Sequence, residues 1–368
     1  MRQFYVLGIC CLYGLLSYGQ DPSFSQFYAN RTYLNPALTG LEEGISVSGI
    51  YRMQWRNIDQ GFETYAVTAE VLEPFIRSGF GLTFWRDTEG IMALQTTYVG
   101  LSYAYAIPLG DHEIRAGLQA RWVQRAVDWD RILFSDQLDP VFGPIFPTSL
   151  DPGLDQTRYT DFDFGFVWRS NTDLKIGKKL FRDTRSNVGF SISHAPYLFR
   201  STGGNESLQG LNTRTAPRLT LHAGSILPTF VLNGGRKNIS LSPNIKYDRQ
   251  GTNLTKGRQT LQVVTCGLYV LYEGIYLGGF YQNKYPGPGI KNTNALILMM
   301  GAYVDGQKQK GNRFFIGFSY DTNTSGVGTA SGGVYELAFR WSFQDAPNLF
   351  GRRRRSSAKR SLDCRSFF

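Results

Sequence analysis

Apolar and polar residues alternate with a period of two along most of this chain. Tyr335-Glu336-Leu337-Ala338-Phe339-Arg340-Trp341-Ser342-Phe343 shows it best, with every odd position large and apolar and the even positions carrying Glu, Ala, Arg and Ser. Successive side chains of a β-strand point to opposite faces, so such a run predicts a strand with one apolar and one polar face. Ile114, Ala116, Leu118, Ala120 and Trp122 alternate in the same way with Arg115, Gly117, Gln119 and Arg121. Val47, Tyr51, Met53 and Trp55 oppose Ser46, Ser48, Arg52, Gln54 and Arg56, while Phe162, Phe164, Phe166 and Trp168 oppose Asp161, Asp163 and Gly165. Leu261–Leu271, Ile275–Tyr281 and Ala295–Tyr303 are apolar on both faces, so alternation carries their strand assignment less far.

About fourteen strands follow from this pattern and its turn signals. They fall near Ser46–Arg56, Thr64–Leu72, Gly79–Trp85, Thr97–Ile107, Ile114–Val123, Tyr159–Arg169 and Asn187–His194. The second half supplies Arg218–Ser225, Ile239–Tyr247, Leu261–Leu271, Ile275–Tyr281, Ala295–Tyr303, Arg313–Tyr320 and Tyr335–Phe343. The expected fold is all-β, an antiparallel transmembrane barrel with a lipid-facing wall and a polar lumen. With both termini on the periplasmic side, connections after even-numbered strands should be short turns and those after odd-numbered strands longer external loops. Pro108-Leu109-Gly110-Asp111 and Glu273-Gly274 fall on the turn side, and the Pro-rich Trp129–Thr157 and Ala195–Thr213 on the loop side. Ser170–Ser186 is too long for a turn and is expected to hold a short helix around Leu174–Phe181. A soluble β-sandwich is the competing fold, but its strands seldom present so aromatic an outward set.

Composition narrows the class. Of 368 residues, 14% are aromatic and 18% charged, the latter below the roughly 25% usual for soluble proteins. Mean hydropathy is −0.25, which is incompatible with a polytopic helical membrane protein, and the aromatic content is incompatible with disorder. Arg2, the apolar run Phe4–Leu16 and the small and polar Ser17-Tyr18-Gly19-Gln20 read as a cleavable export signal over residues 1–20. Its removal leaves Cys266 and Cys364, too few and too distant for a disulfide framework. No later stretch is long and apolar enough for a membrane helix, so membrane residence must be by barrel.

The formal charge of +10 sits mostly at the C-terminus. Residues 346–368 carry Arg352, Arg353, Arg354, Arg355, Lys359, Arg360 and Arg365 against Asp363. With that net +6 and the leader's Arg2 set aside, the body carries only +3, which removes the case for a nucleic-acid partner. The arginine run is instead suited to an anionic surface on the periplasmic side.

Candidate chemistry is sparse, and neither a cofactor nor a metal is expected. His112, His194 and His222 lie on separate segments, unlike the clustered ligands of a zinc site. In Ser191-Ile192-Ser193-His194, Ser193 and His194 should face opposite ways with no orienting acid supplied, which reads as a lumen serine and a rim histidine rather than a hydrolase pair. Asp321-Thr322-Asn323-Thr324-Ser325-Gly326 opens like a calcium loop, but its twelfth position is Gly332 and not the bidentate Glu required. Gly326, Gly328, Gly332 and Gly333 precede a strand, so no phosphate cradle forms. Cys266 reads as a small core residue. No enzyme activity is expected.

Gln20-Asp21-Pro22-Ser23-Phe24-Ser25-Gln26-Phe27-Tyr28, followed by Tyr33-Leu34-Asn35-Pro36-Ala37-Leu38-Thr39-Gly40, resembles the opening of the PorP/SprF family. Further matches are Tyr51-Arg52 with Gln54-Trp55, Ser191–His194, Leu221–Gly224, Gly279-Phe280-Tyr281, and Phe315–Asp321 leading to Glu336-Leu337. The tail ending Cys364-Arg365-Ser366-Phe367-Phe368 is similar to the family's arginine-rich terminus, with Arg365 where proline often follows the cysteine. The resemblance implies an outer-membrane component of the type IX secretion and gliding machinery of a Bacteroidota-type cell. Such a protein helps secreted cargo, often large adhesins, to cross or stay on the surface.

On this reading residues 1–20 are the signal peptide, 21–43 an N-terminal periplasmic or plug segment, 44–345 the barrel and 346–368 the basic tail. Phe24, Phe27, Tyr28, Asn35 and Pro36 together with Arg352, Arg353, Arg354 and Arg355 are the expected partner-binding residues. Outer-membrane lipid, the cargo and periplasmic secretion components are the expected partners. The competing function is a diffusion channel or hydrophobic-solute transporter, with the N-terminal segment as plug and Arg52, Arg115 and Arg121 setting selectivity.

Overall fold

The computed structural model describes residues 21–343 except 58–60, 91–93, 130–131, 150–153, 178, 200–203, 205, 207, 209–213, 233–236, 252–259, 286–291, 306–311 and 325–330. The expected export signal, residues 1–20, and the C-terminal residues with Arg352–Arg355 and Cys364 lie outside the described residues.

Fourteen antiparallel strands close into one barrel, each paired with its neighbours in the chain and the last with the first. They are β1 (Gly44–Gln54), β2 (Phe62–Glu73), β3 (Ser78–Glu89), β4 (Leu94–Leu109), β5 (His112–Ala126), β6 (Gln156–Ile176) and β7 (Lys179–Ser193). The circuit continues through β8 (Arg218–Leu232), β9 (Lys237–Gly251), β10 (Thr260–Tyr272), β11 (Ile275–Tyr285), β12 (Thr293–Asp305), β13 (Asn312–Asn323) and β14 (Val334–Phe343). Every expected strand coincides with one of these, Ser46–Arg56 and Asn187–His194 overrunning their C-terminal ends at Gln54 and Ser193, and a single closed sheet replaces the two packed sheets a sandwich would need. A minimal antiparallel pair, Leu138–Asp139 with Gly143–Pro144, decorates the loop after β5.

The barrel has a turn end and a loop end. The described connections after β2, β4 and β10 are short, and at Glu273-Gly274 φ is 46° and 86°. Positive φ at both central residues is the geometry of a two-residue hairpin turn whose twist matches its strands. The long connections, after β5 and β7, both lie at the opposite end. The short helix expected around Leu174–Phe181 is not there. β6, 21 residues long, and β7 run through that region as one extended hairpin, with a register shift between Thr172 and Leu174. The alternation there is interrupted by the shift, which is why it does not read as strand.

Alternation maps onto the wall as expected. On β14, Leu337, Phe339 and Trp341 are 51%, 47% and 44% exposed, whereas Glu336, Arg340 and Ser342 are 1%, 4% and 2% exposed. Outward aromatics meet across strands, with Tyr51 stacked on Tyr65 at 5.8 Å, Phe166 on Phe190 at 5.7 Å and Phe314 on Trp341 at 6.2 Å. Each is a directly opposed pair, the unit from which sheets gain side-chain stabilisation. Cys266 is exposed on this outer wall, opposite Ile245 and Tyr281, and is not a core residue. Strand period, with no second layer outside, sends it outward. No helix among the described residues is long and apolar enough to cross a membrane.

The hydrophobic core lies inside the barrel. Tyr269, Tyr276, Phe280, Ile297 and Met299 from β10, β11 and β12 form one buried cluster with Phe24, Phe27, Tyr28, Leu34 and Leu38 of the N-terminal segment. Those are the strands that are apolar on both faces, one face being outside and the other turned to an apolar occupant.

An arginine on the outer wall at mid-barrel has no water to reach. Leu298→Arg is expected to destabilise the barrel by about 2–4 kcal/mol in a lipid refolding titration, against about 1 kcal/mol or less for Leu298→Met.

Candidate functional site

The N-terminal segment occupies the lumen. It starts at the loop end with Asp21 and joins β1 at the turn end, touching strands around the whole circumference on the way. Its only helical elements are α1 (Arg31–Leu34) and a 3₁₀ turn at Pro36–Leu38. Most of its backbone is irregular, so its buried N–H and C=O groups must find partners elsewhere.

Asn35 supplies the central fastening. It caps the 3₁₀ turn, its Oδ1 accepting from the Ala37 N–H at 2.9 Å, with Pro36 in the first-turn position where a missing N–H costs nothing. Its Nδ2 donates to the carbonyls of Phe166 on β6 and Phe190 on β7 at 3.1 and 3.0 Å, and lies 3.1 Å from His222 Nε2 on β8. The turn fits because Gly117 and Gly165 face it. A Cβ at Gly165 would stand 2.0 Å from Asn35 Oδ1, and one at Gly117 would stand 2.4 Å from Ala37 N. Ser191 Oγ adds a bond to the Leu34 carbonyl at 2.8 Å.

Charged lumen side chains complete the fastening. Arg115 Nε donates to the Ala37 carbonyl at 2.8 Å and its Nη2 to that of Thr39 at 2.6 Å. Arg340 Nη2 holds the carbonyls of Tyr28 and Ala29 at 3.2 and 3.0 Å. Glu336 accepts the N–H groups of Ser25 and Gln26 at 2.7 and 2.8 Å and pairs with Arg52, while Asp321 takes the Ser25 hydroxyl. Glu70 accepts the Gly40 N–H at 3.1 Å. At the turn end Glu42 of the segment pairs with Arg31 at 2.7 Å and with Arg340 at 3.4 Å. Hydrogen bonds to charged groups contribute about 1.5–3 kcal/mol each, which adds to the burial of Phe24, Phe27, Tyr28, Leu34 and Leu38.

A denser cluster sits at the loop end. Asp21 lies 3.0 Å from both His194 Nε2 and Arg218 Nη1, and His194 Nδ1 is 2.6 Å from Asp161. Arg121 holds Asp161 at 2.5 Å and Asp163 at 2.7 Å. Tyr33 accepts from Arg218 at 2.5 Å and donates to the Pro22 carbonyl at 2.5 Å, with the guanidinium 4.4 Å from its ring centroid. His194 has φ 57°, and this left-handed backbone turns its side chain inward beside Ser193. The expectation that Ser193 and His194 face opposite ways therefore fails, because strand alternation ends at Ser193. Burial disfavours the His194 charge, but Asp21 and then Asp161 outweigh it and raise its pKa to about 9. Burial likewise opposes ionisation of Asp21, yet His194 and Arg218 hold it well below the usual carboxylate range. A histidine so held is an imidazolium at neutral pH and not a general base.

Pockets around the segment include one lined by Phe24, Phe27, Lys246 and Val263, one by Trp85, Tyr98, Tyr159 and His194, and one by Gln26, Tyr28, Tyr276 and Arg340. Among the described residues no three His, Cys, Asp or Glu side chains group as metal ligands would.

Phe24, Phe27, Tyr28, Asn35 and Pro36 are thus brought together inside the barrel, each buried against the chain's own wall. Phe24 meets Tyr33 edge-on at 5.0 Å and Phe27 meets Phe280 at 6.0 Å. Sequence reasoning missed the anchoring roles of Asp21, Arg218, His194, Glu336 and Arg340. A signal existed in the lone charges at inward strand positions, which a water-filled lumen would explain equally well.

Comparison with known proteins gives one family. The model described as "Type IX secretion system membrane protein PorP/SprF" matches residues 16–341. No curated protein matches the chain. Similar solved structures include the CymD monoaromatic hydrocarbon channel, at 11% identity and TM-score 0.41, covering 86% of this chain and 93% of that one. A Pseudomonas aeruginosa FadL homologue has 12% identity and TM-score 0.39, covering 84% and 92%. The translocator domain of autotransporter NalP from Neisseria meningitidis has 11% identity and TM-score 0.36, covering 87% and 100%.

Gly165→Val should displace the Asn35 turn while leaving the wall closed. Limited proteolysis of the purified barrel is expected to cut between residues 25 and 41 at least tenfold faster than in wild type, and an unchanged rate would contradict the fit. The charge cluster gives a pH dependence. His194 titrates near 6.5 in a free chain, so the stabilisation from its raised pKa is complete below that value and is lost as pH rises through about 9. The Asp21 contribution is present above the carboxylate range and lost only in strong acid. In a Cys266→Ala/Cys364→Ala background, methanethiosulfonate labelling of a Ser23→Cys variant, divided by the rate of a free peptide thiol at the same pH to remove thiol ionisation, should therefore rise between pH 8 and 10, and His194→Gln should leave that ratio flat.

Proposed function

Because the chain belongs to the PorP/SprF family of type IX secretion membrane proteins, we propose that it assists the secretion or surface attachment of specific partner proteins, such as large adhesins. Family and closed barrel together make it an outer-membrane β-barrel, a class of secretion component and not of enzyme. The observation that supports this reading over a solute channel is the lumen fastened shut by the chain's own segment. A pore that conducts needs a continuous path between sites it can leave. Here the lumen charges named as selectivity candidates, Arg52 and Arg115, are bonded to Glu336 and to the segment's carbonyls, and Arg121 to Asp161 and Asp163. A barrel closed in this way handles a polypeptide at its rim. The loop end faces outward, the turn end faces the periplasm, and the arginine-rich tail reaches other secretion components there. Gliding motility in a Bacteroidota-type cell is one process such a component serves.

Deleting the gene and comparing surface, medium and periplasmic proteins tests the proposal. One or a few large proteins are expected to leave the surface, while unchanged export with reduced solute uptake would return the channel reading. In planar bilayers the wild-type barrel is expected to be silent, and a variant lacking residues 21–41 to conduct.

A further inference from the structure

The loop after β5 combines two features that rarely share a surface. Residues 127–155 carry Asp128, Asp130, Asp136, Asp139, Asp151 and Asp155 against Arg131 alone. The same loop presents Leu133, Val141, Phe142, Ile145 and Phe146 to solvent, with Val141 and Phe142 81% and 75% exposed. Large apolar side chains grouped in the open on a loop outside the barrel wall mark an interaction surface.

The tip is built. Leu138 pairs with Pro144 and Asp139 with Gly143, and the Asp139 carboxylate accepts the N–H groups of Val141 and Phe142 at 2.8 and 2.9 Å. These bonds hold the two exposed side chains at the apex of a closed turn. Asp136 accepts Ser149 N at 2.7 Å and the hydroxyls of Thr148 and Ser149 at 3.0 Å each, closing the base of the same lobe. The lobe is joined to the barrel by Val127 N on the Asp155 carbonyl at 2.9 Å, and to the loop after β7 by Leu154 N on the Leu208 carbonyl at 3.2 Å. Such pre-ordering lowers the entropy lost on binding.

Resting on the function proposed above, we propose that this acidic, apolar-tipped lobe docks a cationic segment of the exported polypeptide, with Val141 and Phe142 as anchors. Charge complementarity selects the occupant. An anionic lipid headgroup layer repels the lobe's aspartates, Asp136 and Asp139 among them. The chain's own cations at Arg352–Arg355 follow β14, which ends at the turn end, across the barrel from the lobe. A second copy would set the same acidic lobes against each other.

The test complements the deletion strain with Val141→Ser/Phe142→Ser, and separately with Asp128→Asn/Asp155→Asn, after a heat-shift gel shows folded barrel at wild-type level. Surface proteins lost in the deletion strain should stay about tenfold or more below wild type with the apolar variant, and fall with the charge variant. Full restoration by both variants would overturn the docking proposal and leave the secretion reading standing. A deletion that alters no exported protein would remove both. A photo-crosslinker at position 142 should map to a stretch of exported protein with net positive charge, whereas crosslinks to lipid or to an acidic stretch would overturn the assignment.

Discussion

A buried polypeptide with little regular secondary structure has to satisfy its peptide groups from outside itself, and this requirement shapes the whole barrel. Residues 21–43 lie inside a closed wall where water cannot serve them freely. The wall answers with long charged side chains at inward positions: Arg115 and Arg340 for carbonyls, Glu336 and Glu70 for N–H groups, and Asn35 reaching the other way to the carbonyls of β6 and β7. Removing one partner from such a buried set leaves the other charge uncompensated, which costs several kcal/mol. The lumen is therefore a binding site already filled, and its charges are structural.

The same constraint divides the wall into two sectors. β10 to β12 turn aromatic and aliphatic side chains inward because the occupant there is Phe24, Phe27 and Tyr28. Elsewhere around the wall the inward positions are dominated by polar and charged residues, because there the occupant shows its backbone. Gly117 and Gly165 mark the place where segment and wall come closest. The barrel outside is uniform, and the asymmetry inside is a negative of the segment it holds.

Period-two alternation made the wall legible from sequence, since Leu337, Phe339 and Trp341 could only face lipid if Glu336 and Arg340 faced inward. It also gave the order of turns and loops. It did not reveal the occupant. Inward charges and an inward apolar patch are both compatible with an open lumen until something is placed against them, and Tyr276 and Phe280 gain meaning only beside Gln26 and Phe27. His194 was misread because its left-handed backbone breaks the alternation at one residue. The extended β6–β7 hairpin was misread because a register shift does the same. Cys266 was placed in a core that the barrel does not have on that face.

The role proposed for the rim rests on residues 21–43 staying in place inside the closed barrel. Hydrogen–deuterium exchange of the purified barrel tests it most directly. Amides of Ser25, Gln26, Ala37 and Gly40, whose acceptors are Glu336, Asn35 and Glu70, should exchange as slowly as those in the middle of β14. Exchange of these amides at the rate of an unprotected peptide would show the lumen open and contradict the account.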